Sequence, residues 1–138
     1  MTTLDDAVPQ LRKVLLAEDH PTMRALLAEA LRDAGYDVVE VQDGDALWGQ
    51  VSAGLEDDDN PREPDLIVSD INMPRQSGLE VLARLRQGAA MTPVILITAF
   101  SDEATRSLAS RFGAALVLDK PFTINTLVSA AVALVSPG

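Results

Sequence analysis

Five short apolar runs recur along the chain, and after each of them apolar residues return at helical spacing. The runs cover residues 13–17, 36–41, 66–68, 93–98 and 115–118, and Val, Leu and Ile fill most of them. Uninterrupted apolar runs of this length suit strands covered on both faces, as in a parallel sheet. After the first run, Pro21 fits the first turn of a helix. Met23, Leu26, Leu27, Ala30, Leu31 and Ala34 form its inward stripe, and Gly35 ends it. Asp43-Gly44 reads as a turn, followed by a short helix over 45–53 with Leu47 and Val51 inward. A third helix over 78–87 turns Leu79, Leu82 and Leu85 inward. A fourth begins at Ser101-Asp102, with Asp102 and Glu103 suited to a first turn, runs to about Arg111 and is closed by Gly113. The last, over about 123–135, carries Ile124, Leu127, Val128, Ala131 and Val135.

Strand and helix thus alternate five times, and no repeat at solenoid spacing interrupts them. Alternation of this kind gives parallel strands joined by right-handed helical crossovers. The expected fold is α/β: a five-stranded parallel sheet, order 2-1-3-4-5, flanked by five helices in the flavodoxin-like doubly wound manner.

Composition narrows the function classes. The 138 residues, 47% hydrophobic, suit one domain with one core. With 11 basic and 21 acidic residues, the net charge of −10 disfavours nonspecific binding to nucleic acid or to an anionic membrane. The absence of cysteine excludes disulfides, thiolate metal sites and cysteine nucleophiles. No apolar run approaches the roughly 20 residues of a membrane helix. The first ten residues are polar and acidic, unlike a secretory signal, so the expected setting is the cytosol. Residues 1–11 are expected to form a flexible tail, 12–135 the domain and 136–138 a short C-terminal tail. Residues 54–64, with Glu56-Asp57-Asp58-Asp59-Asn60-Pro61, read as a solvated acidic insertion, lacking the alternating acids of a calcium loop.

The candidate chemistry lies where the strands stop. Glu18 and Asp19 end the first, Asp70 the third, Thr98 the fourth and Lys120 follows the fifth. Taken alone, Asp70 reads equally as a cap for the turn that follows it. In a parallel sheet, however, all these ends share one edge, and the 2-1-3-4-5 order sets the first and third strands side by side. Three carboxylates gathered there repel one another, so one is expected to take up a proton. A hard divalent cation relieves the repulsion, and magnesium commonly bridges one or two carboxylates to phosphate. Lys120 beside such an ion can bind the oxygens of a transferred phosphoryl group, and Thr98 can donate a hydrogen bond to them. Asp70 is then the expected nucleophile, forming an aspartyl phosphate.

With Glu18-Asp19, Asp70 followed by Met73-Pro74 and Gly78, Thr98-Ala99, and Lys120-Pro121-Phe122, the chain resembles the receiver domain of bacterial two-component response regulators over about 12–135. The resemblance implies phosphorylation of Asp70. It implies Mg2+ held by Asp19, Asp70 and the Asn72 backbone carbonyl, with Glu18 nearby through water. It also implies Thr98 and Lys120 on the phosphoryl group, and a cis Lys120-Pro121 bond. The donor would be a phosphohistidine on a sensor histidine kinase or a histidine phosphotransfer protein. A stand-alone receiver of this kind acts through a downstream protein target rather than nucleic acid or a membrane. It is not an enzyme beyond slow self-phosphorylation and self-dephosphorylation.

Two departures bear on switching: Val117 stands where the family usually carries an aromatic residue, and Phe100 offers a substitute. His20 is expected to be a loop residue, and Trp48 to pack on the second helix away from the site. Three other readings fit the residues less well. An aspartyl-nucleophile phosphatase generally needs a second acid at the position of Asn72. A flavin-binding domain needs small hydroxyl residues where Glu18-Asp19-His20-Pro21 stands. A phosphate-independent adaptor receiver has only Val117 in its favour.

Overall fold

The alternation of apolar runs and helical stripes becomes five strands and five helices in the computed structural model, which describes residues 11–56, 63–88, 90–99 and 102–137. The strands are β1 (Lys13–Ala17), β2 (Asp37–Val41), β3 (Leu66–Asp70), β4 (Val94–Thr98) and β5 (Leu116–Asp119). The helices are α1 (Pro21–Asp33), α2 (Gly44–Leu55), α3 (Gly78–Gln87), α4 (Glu103–Arg111) and α5 (Ile124–Leu134). The strands pair in parallel in the order β2-β1-β3-β4-β5, as the sequence predicts. The expectations placed on residues 1–10 and 57–62, and on Phe100 and Ser101, lie outside the described residues.

Strand pleating divides the core between the two faces of the sheet. Val14, Leu16, Val68, Ile95 and Ile97 face one way and pack with Leu27 and Leu31 of α1 and Leu127 of α5. Leu15, Ile67 and Leu96 face the other way, against α2, α3 and α4. The central strands β3 and β4 are buried at every position, whereas the edge strand β5 is largely exposed. This is why β3 reads as a continuous apolar run up to its terminal polar pair.

Local capping sets where the helices begin. Asp43 caps α2 by accepting from the Ala46 N–H, so Gly44 is the first helical residue rather than part of a free turn. Ser77 and Glu80 form a reciprocal capping box on α3. His20, expected in a loop, caps α1 by accepting from the Met23 N–H at 3.3 Å. The stripe of α1 is narrower than its spacing suggests. Ala28 is buried, but Leu26 is 49% exposed, because the helix rolls Leu27, Ala28 and Leu31 onto the sheet. No helix among the described residues is long and apolar enough to cross a membrane.

Candidate functional site

The carboxyl edge of the sheet gathers the residues singled out by the sequence. β1 delivers Glu18, whose N–H donates to the Val41 carbonyl at 3.1 Å, and β3 delivers Asp70. Both are buried, at 1% and 4% exposure, while Asp19 is exposed. Lys120, just past β5, reaches across the edge. Its Nζ donates to Asp70 Oδ2 at 2.7 Å and to Glu18 Oε1 at 3.1 Å. Its own N–H donates to the Thr98 carbonyl at 2.8 Å, which ties the loop to the end of β4, and the Lys120–Pro121 peptide is cis.

These side chains line an open cavity of about 580 Å³ that also takes in Asn72, Ala99 and the first turn of α1. Thr98 is buried at 1% exposure, and it is Ala99, one residue on, that borders the cavity. Val117 pairs with Leu96 and packs partly buried on the α2–α3–α4 side of the sheet. Trp48 lies on α2, with the Arg84 guanidinium stacked over its ring at 4.1 Å, and does not border the cavity.

Supporting contacts hold the acids in place. The Asn72 N–H donates to Asp70 Oδ1 at 2.9 Å, and the His20 N–H donates to Glu18 Oε2 at 3.2 Å. Asp70 thus has one oxygen on a backbone amide and the other on an ammonium group. Gly78 is required below it, because a Cβ there would lie 2.6 Å from the Asp70 carbonyl oxygen. Arg24, which the sequence reading passes over, donates to the Glu18 carbonyl at 2.8 Å and stands 3.7 Å from Glu40. Nothing in the chain marks this role, since Arg24 falls at an ordinary polar position of α1.

The electrostatics follow from burial and crowding. Burial first, and the Asp70 charge after it, push Glu18 above its ordinary 4.5, against the lowering effect of the His20 amide and of Lys120. Burial alone would lower Lys120, but its hydrogen bonds to Asp70 and Glu18 and the attraction of both carboxylates raise it above 10.5. Folding therefore binds both protons more tightly than the unfolded chain does. The stability associated with each is full below the unfolded value and is lost as pH rises through the folded one. For Glu18 that window opens at about 4.5, and for Lys120 at about 10.5. Glu18→Gln should remove the loss of stability that sets in as pH rises above about 4.5, measured by urea unfolding at a series of pH values without divalent cation. An unchanged pH profile in the variant would show that Glu18 carries no such strain.

Glu18, Asp19 and Asp70 each present an oxygen within 4.8 Å of the others. Three hard anionic oxygens around one point, partly screened by a single ammonium group, form a donor set suited to a hard divalent cation. The cavity beside them leaves room for an incoming anion.

Comparisons with known proteins bear on the family and the fold. The family model for the response regulator receiver domain matches residues 14–132. The transcriptional regulatory protein PdtaR of Mycobacterium tuberculosis is 37% identical over 129 residues, covering 94% of this chain and 58% of the relative. The sensor protein EvgS of Escherichia coli K12 is 34% identical over 120 residues, covering 87% of this chain and 9% of the relative. The chain thus spans only part of the length of these relatives. Among solved structures, the Vibrio cholerae chemotaxis protein CheY4 superposes with a TM-score of 0.79 at 26% identity, covering 91% of this chain and 100% of that one. The receiver domain of Francisella response regulator 1452 also gives 0.79 at 26% identity, with 89% and 95% covered.

Proposed function

This chain belongs to the response regulator receiver domain family of two-component signalling, and from that premise we propose that Asp70 accepts a phosphoryl group from a phosphohistidine. The observation that carries the reading is the environment of Asp70. It is a buried carboxylate at a strand end, held by the Asn72 amide and the Lys120 ammonium and bordering an open cavity. An Asp70 oxygen attacks phosphorus, the bond from phosphorus to the donor imidazole breaks, and its electrons leave with the imidazole. Lys120 is placed to turn from Asp70 toward the phosphoryl oxygens, where charge must be stabilised, and Thr98 is assigned a hydrogen bond to the same oxygens.

Asp19, Asp70 and the Asn72 carbonyl would hold Mg2+, with Glu18 beside it. Bound there, the ion neutralises charge on the carboxylates and the entering phosphoryl group. Asn72 offers no acid to activate water, which supports slow self-dephosphorylation rather than phosphatase turnover. The signalling unit is residues 12–135. Its donor is a sensor histidine kinase or a histidine phosphotransfer protein, and its output is a change in binding to a protein target through the surface of α4, β5 and α5. The net charge of −10 favours protein partners over nucleic acid.

Incubation with acetyl phosphate and Mg2+, followed by digestion and mass mapping, should find a single phosphoryl group, on Asp70. Modification elsewhere, or none, would overturn the assignment.

A further inference from the structure

The loop that follows Asp70 is anchored at its two ends and at its apex. At the base, the Ile71 N–H donates to the Ile97 carbonyl at 2.8 Å and the Gly78 N–H donates to the Ile71 carbonyl at 3.1 Å. At the apex, the loop rests on the first turn of α2. A Cβ at Gly44 would lie 2.0 Å from the Gln76 carbonyl oxygen, so the loop backbone sits directly on a bare helix position. Gln76 Nε2 donates to Asp45 Oδ1 at 2.9 Å, and Gln76 Oε1 accepts from Arg84 at 2.9 Å. Arg75 takes a left-handed φ of 73° and turns its guanidinium to Asp43, 3.4 Å away, and to Asp45, 3.9 Å away. The partners of the Gln76–Asp45 bond are separated by 31 residues, and neither lines the cavity.

We propose that Gln76, gripped between Asp45 and Arg84 over the bare Gly44, is a positioning residue that holds the Asn72 segment ready for a divalent cation at Asp70. The inference rests on the proposed Mg2+ site and goes beyond it in assigning α2 a part in metal affinity. The physical reason is preorganisation. Asn72 lies between the fixed base of the loop and its apex. If the apex is freed, the cation must order those residues itself, and the apparent affinity falls by the fraction of time the loop spends in the competent arrangement. Loss of one such hydrogen bond lowers the ratio of competent to freed loop by about fivefold, and the affinity falls by as much once the freed loop predominates.

Equilibrium titration with Mg2+ alone, with urea unfolding as a parallel measurement, tests the proposal on the full chain. Asp45→Ala should weaken Mg2+ binding measurably, by up to about fivefold, and Gln76→Ala, which also loses the bond to Arg84, by at least as much. Asp45→Asn should bind within about twofold of the parent, because its amide oxygen still accepts from Gln76. Both Asp45 variants lose the same charge at the start of α2 and the same attraction to Arg75, so only the hydrogen bond distinguishes them. A merely structural role would move the urea midpoint without separating Asp45→Ala from Asp45→Asn in Mg2+ affinity. Parental affinity in Gln76→Ala, or equal weakening in the two Asp45 variants, would overturn the positioning role and leave the metal site standing. Failure of the parent chain to bind Mg2+ would overturn the metal reading, and the positioning role with it.

Discussion

Asp70→Asn should take up no phosphoryl group from acetyl phosphate and Mg2+ while folding as the parent does. The amide has no anionic oxygen to attack phosphorus, so acceptance should fall below detection rather than merely slow. Stability should change little, because two effects oppose each other. The carboxylate now accepts from the Asn72 N–H with one oxygen and from Lys120 with the other. An amide can accept at only one of those positions and turns its NH2 toward the other donor, a loss of about 1 kcal/mol. Against this, removing the Asp70 charge relieves Glu18, whose carboxyl that charge helps to push upward. The net change should stay within about 1 kcal/mol in urea unfolding. Persistent phosphorylation of the variant, mapped to Asp19 or another residue, would move the acceptor role away from Asp70.

Much of this arrangement is legible in the chain because parallel topology converts sequence position into spatial position. Each apolar run that stops at Glu18, Asp70 or Thr98 marks a strand end, and parallel strands put those ends on one edge. The site is thus written as a repeated local grammar, strand then polar residue. What lies outside that grammar is harder to read. Glu18 and Asp19 are adjacent acids, yet one is buried and the other exposed, because pleating turns only the first into the sheet. The seat of Gln76 on Gly44 depends on how α2 and the loop after β3 pack, and no local spacing records that. Gly44 instead looks like a turn residue, since a glycine after an aspartate carries the same signal whether it bends the chain or admits a neighbour. Leu26 fails for a related reason. Helical periodicity marks it as inward, but the stripe against the sheet is too narrow to hold both it and Ala28.

Lys120→Ala should impair the protein in two separable ways. The first is stability. Lys120 Nζ is the single side-chain cation within hydrogen-bond reach of both Glu18 and Asp70 among the described residues. The Glu18 side chain is only 2% exposed beside Lys120, so water entering from the cavity replaces the lost partner only in part. Removing one member of a buried ion pair commonly costs 3–5 kcal/mol. Here the ammonium is 26% exposed and the cavity is open, so a loss of about 2 kcal/mol is expected at neutral pH without Mg2+. The loss should shrink in acid, as Glu18 takes up its proton. The second effect is chemical. Without the ammonium, charge on the phosphoryl oxygens loses a fixed stabilising partner, and acceptance from acetyl phosphate should slow by about 10²–10³-fold. Saturating Mg2+ should separate the two, because an ion held among the carboxylates would offset their repulsion and recover stability without supplying the missing ammonium. Lys120→Arg should recover part of the stability but less of the rate, since a planar guanidinium does not reproduce a compact ammonium between two carboxylates. If Lys120→Ala is destabilised yet accepts the phosphoryl group at the parental rate in saturating Mg2+, the lysine only screens the two acids from each other and does nothing to the phosphoryl group.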